Sequence, residues 1–140
     1  MKNRKNENGF TLIEIMLVVT IIGILATVVL PRLIGRSEEA RISAAKLQIE
    51  NIGVAADTFE LDTGRFPSTQ EGLDALYDKP AGVDNWKGPY LKKRIVKDPW
   101  GQQYVYVCPG IHNKDFDLKS YGQNKADGGG DDITNWDENR

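Results

Sequence analysis

Residues 10–31 read FTLIEIMLVVTIIGILATVVLP, an almost wholly apolar run whose one charge is Glu14 until Arg32 follows it. As a helix, the 21 residues from Phe10 to Leu30 span roughly 31 Å, close to the hydrocarbon thickness of a bilayer. A cut at Gly9–Phe10, before the apolar core, keeps this helix in the mature chain, whereas an ordinary secretory signal loses its core. The run therefore predicts an N-terminal helix that needs lipid or other apolar helices around it.

The leader before this run, residues 1–9, is short and basic. The leader carries three basic residues, Lys2, Arg4 and Lys5, and one acidic residue, Glu7. It has no apolar pattern that could pack. Positive charge on this flank favours an N-terminus that stays in the cytoplasm. We expect a single membrane pass over residues 10–30, with the rest of the chain on the far side of the membrane.

Glu14 is the costly residue of the apolar run, because a carboxylate inside a membrane helix costs about 2.5–3.5 kcal/mol on insertion scales. Two interpretations stay open. Glu14 lies in the first helical turn, where the helix dipole favours an anion, or snorkels to the headgroups. Alternatively it needs a cation in an apolar assembly, and a cut at Gly9–Phe10 creates one, the α-amino group of Phe10 in a neighbouring subunit.

The helix pattern resumes after Pro31, which predicts a bend or a locally melted turn there. An apolar stripe with alternating spacings of three and four then follows, typical of an amphipathic helix: Ile42, Ala45, Ile49, Ile52, Ala56 and Phe59. Gly64 after Asp62 and Thr63 is a helix stop signal. We expect one long, bent helix, with an amphipathic half over residues 31–63; the alternative is a helix that ends at Pro31.

Residues 64–140 form a small polar domain with mixed secondary-structure signals. A short helix is predicted around Gly72–Leu76, strands over Gln103–Cys108 and Asp115–Tyr121, and a further short strand near Arg94–Val96. Phe116, Leu118 and Ser120 alternate with Asp117 and Lys119. The predicted fold class is α+β, with the helix packed on a small antiparallel sheet.

The composition argues against catalysis and against nucleic-acid binding. Cys108 is the sole cysteine and His112 the sole histidine, so neither an internal disulfide nor a zinc or copper set can form. The two lie on one hairpin without an evident orienting partner, and we interpret them as strand filler and surface loop. The net charge is −2, and removing the leader leaves −4, which disfavours nucleic acid.

The C-terminal segment, residues 121–136, is rich in glycine and aspartate. Adjacent carboxylates at Asp131 and Asp132 repel each other unless a cation lies near them, and hard oxygens on a flexible backbone suit Ca²⁺ better than Mg²⁺. The spacing and terminal glutamate of an EF-hand are missing. From composition alone, a calcium site and a solvated acidic loop both remain open.

Several stretches together resemble one family. GFTLIEIMLVVTIIGILATVVLP resembles the class III signal of type IV pilins and type II secretion pseudopilins. TGRFPSTQEGLDAL, GPYLKK, KDPWGQQYVY and DITNW, in that order, resemble the major pseudopilins. The resemblance implies a type IV pilin-like fold, cleavage by a prepilin peptidase between Gly9 and Phe10, and N-methylation of Phe10. It also implies assembly through the apolar helix, with Glu14 docking subunits and Pro31 in the helix.

The resemblance implies a structural role in type II secretion: a periplasmic pseudopilus that drives protein export. The expected partners are further copies in a helical homopolymer, minor pseudopilins, the peptidase, and an inner-membrane assembly platform with an ATPase. The expected location is the inner membrane, crossed once, with the globular domain in the periplasm. One alternative is a type IV pilin-like subunit of a surface fibre for adhesion or DNA uptake, although such pilins usually carry a cysteine pair. Another is an anchored domain that never assembles.

The same resemblance implies Ca²⁺ in the C-terminal loop. By position, Tyr121 and Gln123 supply backbone carbonyls, and Asp131 and Asp132 supply carboxylates. The family's first acidic ligand falls on Asn124 in this chain, with Asp127 three residues later. Which of these two residues ligates the metal stays open.

Overall fold

The computed structural model describes residues 10–94 and 97–136, with the side chains of residues 28–35 left out of the description. The leader, residues 1–9, lies outside it. The chain divides between Glu38 and Glu39 into two compact units, which are described separately below. Among the described residues, which leave out the side chains of residues 28–35, no helix combines the length and apolar character that a membrane span requires.

Helix α1 runs from Leu12 to Thr63 and contains 52 residues. Its backbone stays helical at Pro31, so the alternative of a helix that ends there is wrong, while the bend stays a prediction. The helix ends where the glycine signal places the end. Gly64 adopts a positive φ of 78°, and its N–H donates to the Glu60 carbonyl at 2.7 Å. A residue with a Cβ would be strained in this conformation.

In the second unit, α1 buries the predicted apolar stripe. Phe59 and Ile52 have no exposed surface, and Ile42 packs against the core from its edge. The core that they join is formed by the following buried side chains: Ala45, Ile49, Ile52, Ala55, Ala56, Phe59, Ala75, Leu76, Val83, Leu91, Trp100, Tyr106, Phe116, Leu118 and Ile133. The period of the helix thus supplies one wall of a core too small to form from residues 64–140 alone.

The sheet of the second unit has three antiparallel strands in the described residues: β1 over Val105–Val107, β2 over Asp117–Ser120 and β3 over Ile133–Thr134. The central strand is β2, with Tyr106 opposite Leu118 and Ser120 opposite Ile133. Strands β1 and β2 confirm the strands predicted over Gln103–Cys108 and Asp115–Tyr121, although both are shorter than predicted. The third was missed, because residues 121–136 read as a continuous loop.

Two smaller elements complete the comparison with the sequence. The helix predicted at Gly72–Leu76 is present as a 3-10 helix. The strand predicted near Arg94–Val96 is not borne out at Arg94, which has no regular structure, and its other two residues lie outside the described part. The α+β class, with a long N-terminal helix and a small antiparallel sheet, is confirmed.

Candidate functional site

The N-terminal turn of α1 holds Glu14 in a capping box. The backbone N–H of Thr11 donates to Oε2 of Glu14 at 3.4 Å, and the N–H of Glu14 donates to the Thr11 hydroxyl at 3.3 Å. This reciprocal pair satisfies two donors that a helix start leaves free. The T-x-x-E spacing of Thr11 and Glu14 in the sequence is the pattern of this box. In the single subunit, therefore, Glu14 lies in the first turn, as the dipole interpretation proposes.

The apolar face around Glu14 is open. Phe10 has 79% of its surface exposed and Leu12 has 82%. Exposed large apolar side chains continue along the unit: Ile13, Ile15, Met16, Leu17, Val18, Val19, Ile21, Ile22, Ile24 and Leu25. Such an apolar surface far exceeds the patches that soluble monomers tolerate, so this unit must be covered by lipid or by other chains. Gly9 lies outside the described residues, and the Pro31 side chain is not described.

The C-terminal loop is organised by hydrogen bonds from its own backbone to aspartates. The N–H of Asn124 donates to Oδ2 of Asp131 at 2.7 Å, and the N–H of Gly128 donates to Oδ2 of Asp132 at 3.0 Å. The Asn124 amide oxygen accepts from the N–H of Ala126 at 2.7 Å. The loop thus has a defined conformation that brings Asn124 to Asp131.

This loop lies against a lysine that the sequence patterns do not single out. The ammonium of Lys119, on β2, contacts Oδ1 of Asp127 and lies 3.9 Å from Oδ2 of Asp132. It also lies 5.2 Å from the ring centroid of Tyr121. The hydrogen bond to Asp127 raises the pKa of Lys119 above its ordinary value, although burial acts in the opposite direction. Strand alternation predicted that Lys119 faces away from the core, but not that the loop folds over it.

The loop offers the carboxylate oxygens that calcium prefers as ligands. The Asp132 side chain is 8% exposed, and its Oδ1 is buried without a hydrogen-bond partner among the described residues. A buried carboxylate oxygen that lacks a partner is costly, and a hard cation is the group that would satisfy it. The described residues do not gather three acidic, histidine or cysteine side chains into one metal-holding group. Backbone carbonyls, as expected from Tyr121 and Gln123, would be needed to complete the set.

A buried network connects the DPWG turn to the start of the same loop. Asp98 is 5% exposed, and its Oδ1 accepts the N–H groups of Trp100 at 3.0 Å and Gln102 at 2.8 Å. Its Oδ2 accepts the Ser120 hydroxyl at 2.5 Å, and Oγ of Ser120 accepts the N–H of Gly122 at 3.2 Å. The turn was predicted from sequence, but its contact with the loop was not. Asp98 therefore fixes the backbone from which the loop departs.

His112 has an orienting partner, Asp117, that the sequence pattern did not indicate. Its Nδ1 lies 2.9 Å from Oδ2 of Asp117, and its ring stacks on Trp136 at 4.2 Å between centroids. Burial raises the pKa of Asp117, but hydrogen bonds from the backbone of Asn113, His112 and Ile111, and from the His112 ring, outweigh it and lower the value to about 2. Asp117 therefore holds the backbone of residues 111–113 against β2, which is a structural role.

Cys108 follows directly after β1 and is half-buried. Its N–H donates to the Thr69 hydroxyl at 2.9 Å, and the same hydroxyl donates to the Cys108 carbonyl at 3.0 Å. The backbone of Cys108 thus connects the sheet to the turn before the 3-10 helix. Cys108 thus lies just outside β1, not within the strand as predicted, and the contacts of its backbone are structural.

Comparison with protein families gives two matches that divide the chain between them. Residues 32–136 match the family model described as type II secretion system, protein G. Residues 4–30 match the model of the prokaryotic N-terminal methylation motif. The matches cover both the globular part and the apolar helix.

Individual proteins give the same result. The chain is 48% identical to the type II secretion system core protein G of Pseudomonas aeruginosa, over 96% of this chain and 98% of that protein. It is 42% identical to the core protein G of Vibrio cholerae, over 97% and 96%. Among solved structures, it resembles the major pseudopilin from the type 2 secretion system of enterohaemorrhagic Escherichia coli. That match has a TM-score of 0.63 and 31% identity, and covers 76% of this chain and 95% of that one.

Proposed function

Because the chain belongs to the protein G family of the type II secretion system, we infer that it is a structural subunit of the pseudopilus that drives protein export, and not an enzyme. The observation that carries this function in the molecule itself is the exposed apolar surface of residues 10–25. In a filament, helices from other copies cover this surface. Replacing lipid contacts by protein contacts costs little hydrophobic free energy.

We propose that a prepilin peptidase cuts between Gly9 and Phe10 and that Phe10 is then N-methylated. The match of residues 4–30 to the methylation motif supports this step. Before assembly, the subunit spans the inner membrane once through residues 10–30, and its globular domain lies in the periplasm. The basic leader supports this orientation. An assembly platform with an ATPase then extracts the subunit into the filament, where minor pseudopilins join it.

Docking between subunits rests on Glu14. In the single subunit its carboxylate accepts one long bond from Thr11 at 3.4 Å, which leaves most of its hydrogen-bonding capacity unused. The α-amino group of Phe10 in the next subunit is a cation that the cut itself creates. A pair of opposite charges, neutralised within an apolar bundle, fixes the axial stagger of neighbouring helices, because any other stagger leaves a charge unpaired.

Electron microscopy of cells that produce the chain with its peptidase and assembly platform tests this role. We expect filaments from the wild type, none from Glu14→Ala, and wild-type yield from Glu39→Ala, which removes an exposed glutamate from the same helix. Abundant filaments from Glu14→Ala would contradict the docking role and favour the capping interpretation.

Calcium is the second part of the proposal. The residues that would hold it are Asp131 and Asp132 through carboxylates, Tyr121 and Gln123 through carbonyls, and either Asn124 or Asp127. The unpaired, buried Oδ1 of Asp132 supports the assignment. When bound, calcium supplies a divalent charge that neutralises the carboxylates and offsets the entropy cost of ordering a glycine-rich loop.

Thermal unfolding of the full chain in detergent, with calcium, with magnesium and with chelator, tests the calcium assignment. We expect calcium to raise the melting temperature and to protect the loop from protease, with a weaker effect of magnesium. Asp132→Asn should lose most of this response. An unchanged melting curve with chelator would exclude a calcium site in this loop.

A further inference from the structure

The acidic loop carries a cation of its own. The side chain of Lys119 is 17% exposed, although lysine side chains mostly extend into solvent. Its ammonium contacts Asp127, faces Asp132 at 3.9 Å and lies over the Tyr121 ring at 5.2 Å. These three neighbours all belong to the proposed set of calcium-binding residues. The positive charge of Lys119 therefore stands at the place where the loop is expected to take calcium.

The ammonium satisfies the loop only in part. It contacts Asp127, but the distance of 3.9 Å to Oδ2 of Asp132 is too long for a hydrogen bond. Oδ1 of Asp132, as noted, has no partner in the described part of the chain. A single charge with three donors thus neutralises one carboxylate well and leaves the buried one under-satisfied. Lys119 therefore holds the loop through Asp127, but a buried carboxylate oxygen remains that a divalent cation would satisfy.

We propose that Lys119 is a tethered competitor of calcium, which holds the loop in the metal-free subunit and lowers its affinity for the metal. This inference rests on the proposed calcium site. The Asp127 side chain is 70% exposed, but that of Asp132 is only 8% exposed. Two cations cannot share the buried Asp132 carboxylate, because their repulsion is weakly screened there. Calcium binding therefore requires Lys119 to leave Asp127 and Asp132. The flexible four-carbon stem of lysine allows this movement.

The competition makes the contacts of the loop depend on the calcium concentration. At low calcium the Lys119–Asp127 contact keeps the loop ordered, and at high calcium the metal replaces it. Removal of the lysine charge should therefore act in opposite directions on two properties. It should destabilise the metal-free protein, and it should tighten calcium binding.

Calorimetric titration of calcium into the full chain in detergent tests the proposal. Lys119→Met removes the charge and keeps a long apolar stem, Lys119→Gln is a second neutral variant, and Lys119→Arg keeps the charge. Lys125→Met, a matched control, removes a charge from an exposed residue of the same loop. Circular dichroism verifies that each variant is folded, and thermal unfolding in chelator gives the stability of the metal-free state.

We expect Lys119→Met and Lys119→Gln to bind calcium about tenfold or more tightly than the wild type, with Lys119→Arg and Lys125→Met within about threefold of it. In chelator, Lys119→Met should melt about 4 °C or more below the wild type. Tighter binding in the neutral variants, including binding that appears only there, supports the competition. Measurable binding that is equal in the wild type and Lys119→Met, or weaker in the variant, would overturn it and leave the calcium site intact. An absence of binding in every protein would overturn both.

Discussion

Gly122 gives the sharpest test of the geometry of the acidic loop. It adopts a positive φ of 67°, and a Cβ added there would lie 2.1 Å from the backbone oxygen of Asp131 and 2.9 Å from its carbonyl carbon. Both atoms belong to the backbone, so a change of rotamer cannot relieve the contact. Gly122→Ala therefore forces the backbone at Gly122 or at Asp131 to move.

The loss of folding free energy in Gly122→Ala has two parts. The left-handed conformation itself costs an alanine about 1–2 kcal/mol. Movement of the loop also weakens the hydrogen bond from the Gly122 N–H to Ser120, 3.2 Å, and that from the Asn124 N–H to Asp131, 2.7 Å, each worth about 1 kcal/mol. We expect a total loss of about 3–4 kcal/mol, which lowers the melting temperature of a domain of this size by about 12 °C or more.

Gly128→Ala is the matched control. Gly128 also has a positive φ, 86°, but a Cβ there meets no described atom within 4 Å beyond its chain neighbours. This variant carries only the conformational cost of about 1–2 kcal/mol. Both variants are unfolded by heat in chelator, so that metal does not mask the difference. Melting temperatures of Gly122→Ala and Gly128→Ala within 2–3 °C of each other would refute the described packing of the loop.

Two further predictions concern the core and the response to acid. Phe59→Ala should lower the free energy of unfolding by about 3–5 kcal/mol, because Phe59 is fully buried, whereas Leu61→Ala, at a residue 80% exposed, should change it by less than about 0.5 kcal/mol; equal losses in denaturant titrations would contradict the core assignment. The pKa of Asp117 is lowered from 3.8 to about 2, so its charged form stabilises the fold above pH 4 and this contribution is lost as the pH falls to about 2. Asp117→Asn should therefore cost about 2 kcal/mol at pH 7 and progressively less towards pH 2, and a gap that stays constant over this range would exclude the role assigned to the carboxylate.

The amphipathic part of α1 was predictable because its information is periodic. The stripe through Ile49, Ile52 and Phe59 repeats with the period of a helix, and the same face is buried in the structure. The end of the helix at Gly64 was equally predictable, because its signal is a single glycine, which adopts a left-handed conformation. Elements defined by a repeating pattern or by one backbone-specific residue can be derived without knowledge of the tertiary fold.

The features that the sequence did not reveal depend on segments that fold back over a strand. Alternation along β2 placed Asp117 and Lys119 opposite the apolar face, which predicts solvent exposure for both. Asp117 is instead buried by the backbone of residues 111–113, and Lys119 is covered by the acidic loop. Strand β3 has two residues, too few to show a period of two. Sequence patterns assign a side of the strand, but not what covers that side.

The same distinction applies to the candidate sites: features set by local sequence were predictable, and contacts between distant segments were not. The T-x-x-E capping box at Thr11 and Glu14 is local, and its spacing alone was enough to predict it. The contact of Asp98 with Ser120 joins residues 22 positions apart and was not readable. The aspartates of the loop were predictable from composition and resemblance, but the lysine that contacts them, Lys119, was not.

We propose that Glu14 docks one subunit on the next, and a filament structure determined by cryo-electron microscopy from the processed chain would reveal this contact. The quantity to measure is the distance from the α-amino group of Phe10 in one subunit to the Glu14 carboxylate of its neighbour. We expect an ion pair across the interface, within about 4 Å. A filament in which Glu14 keeps its contact with Thr11 and no neighbour's Phe10 approaches it would contradict the claim.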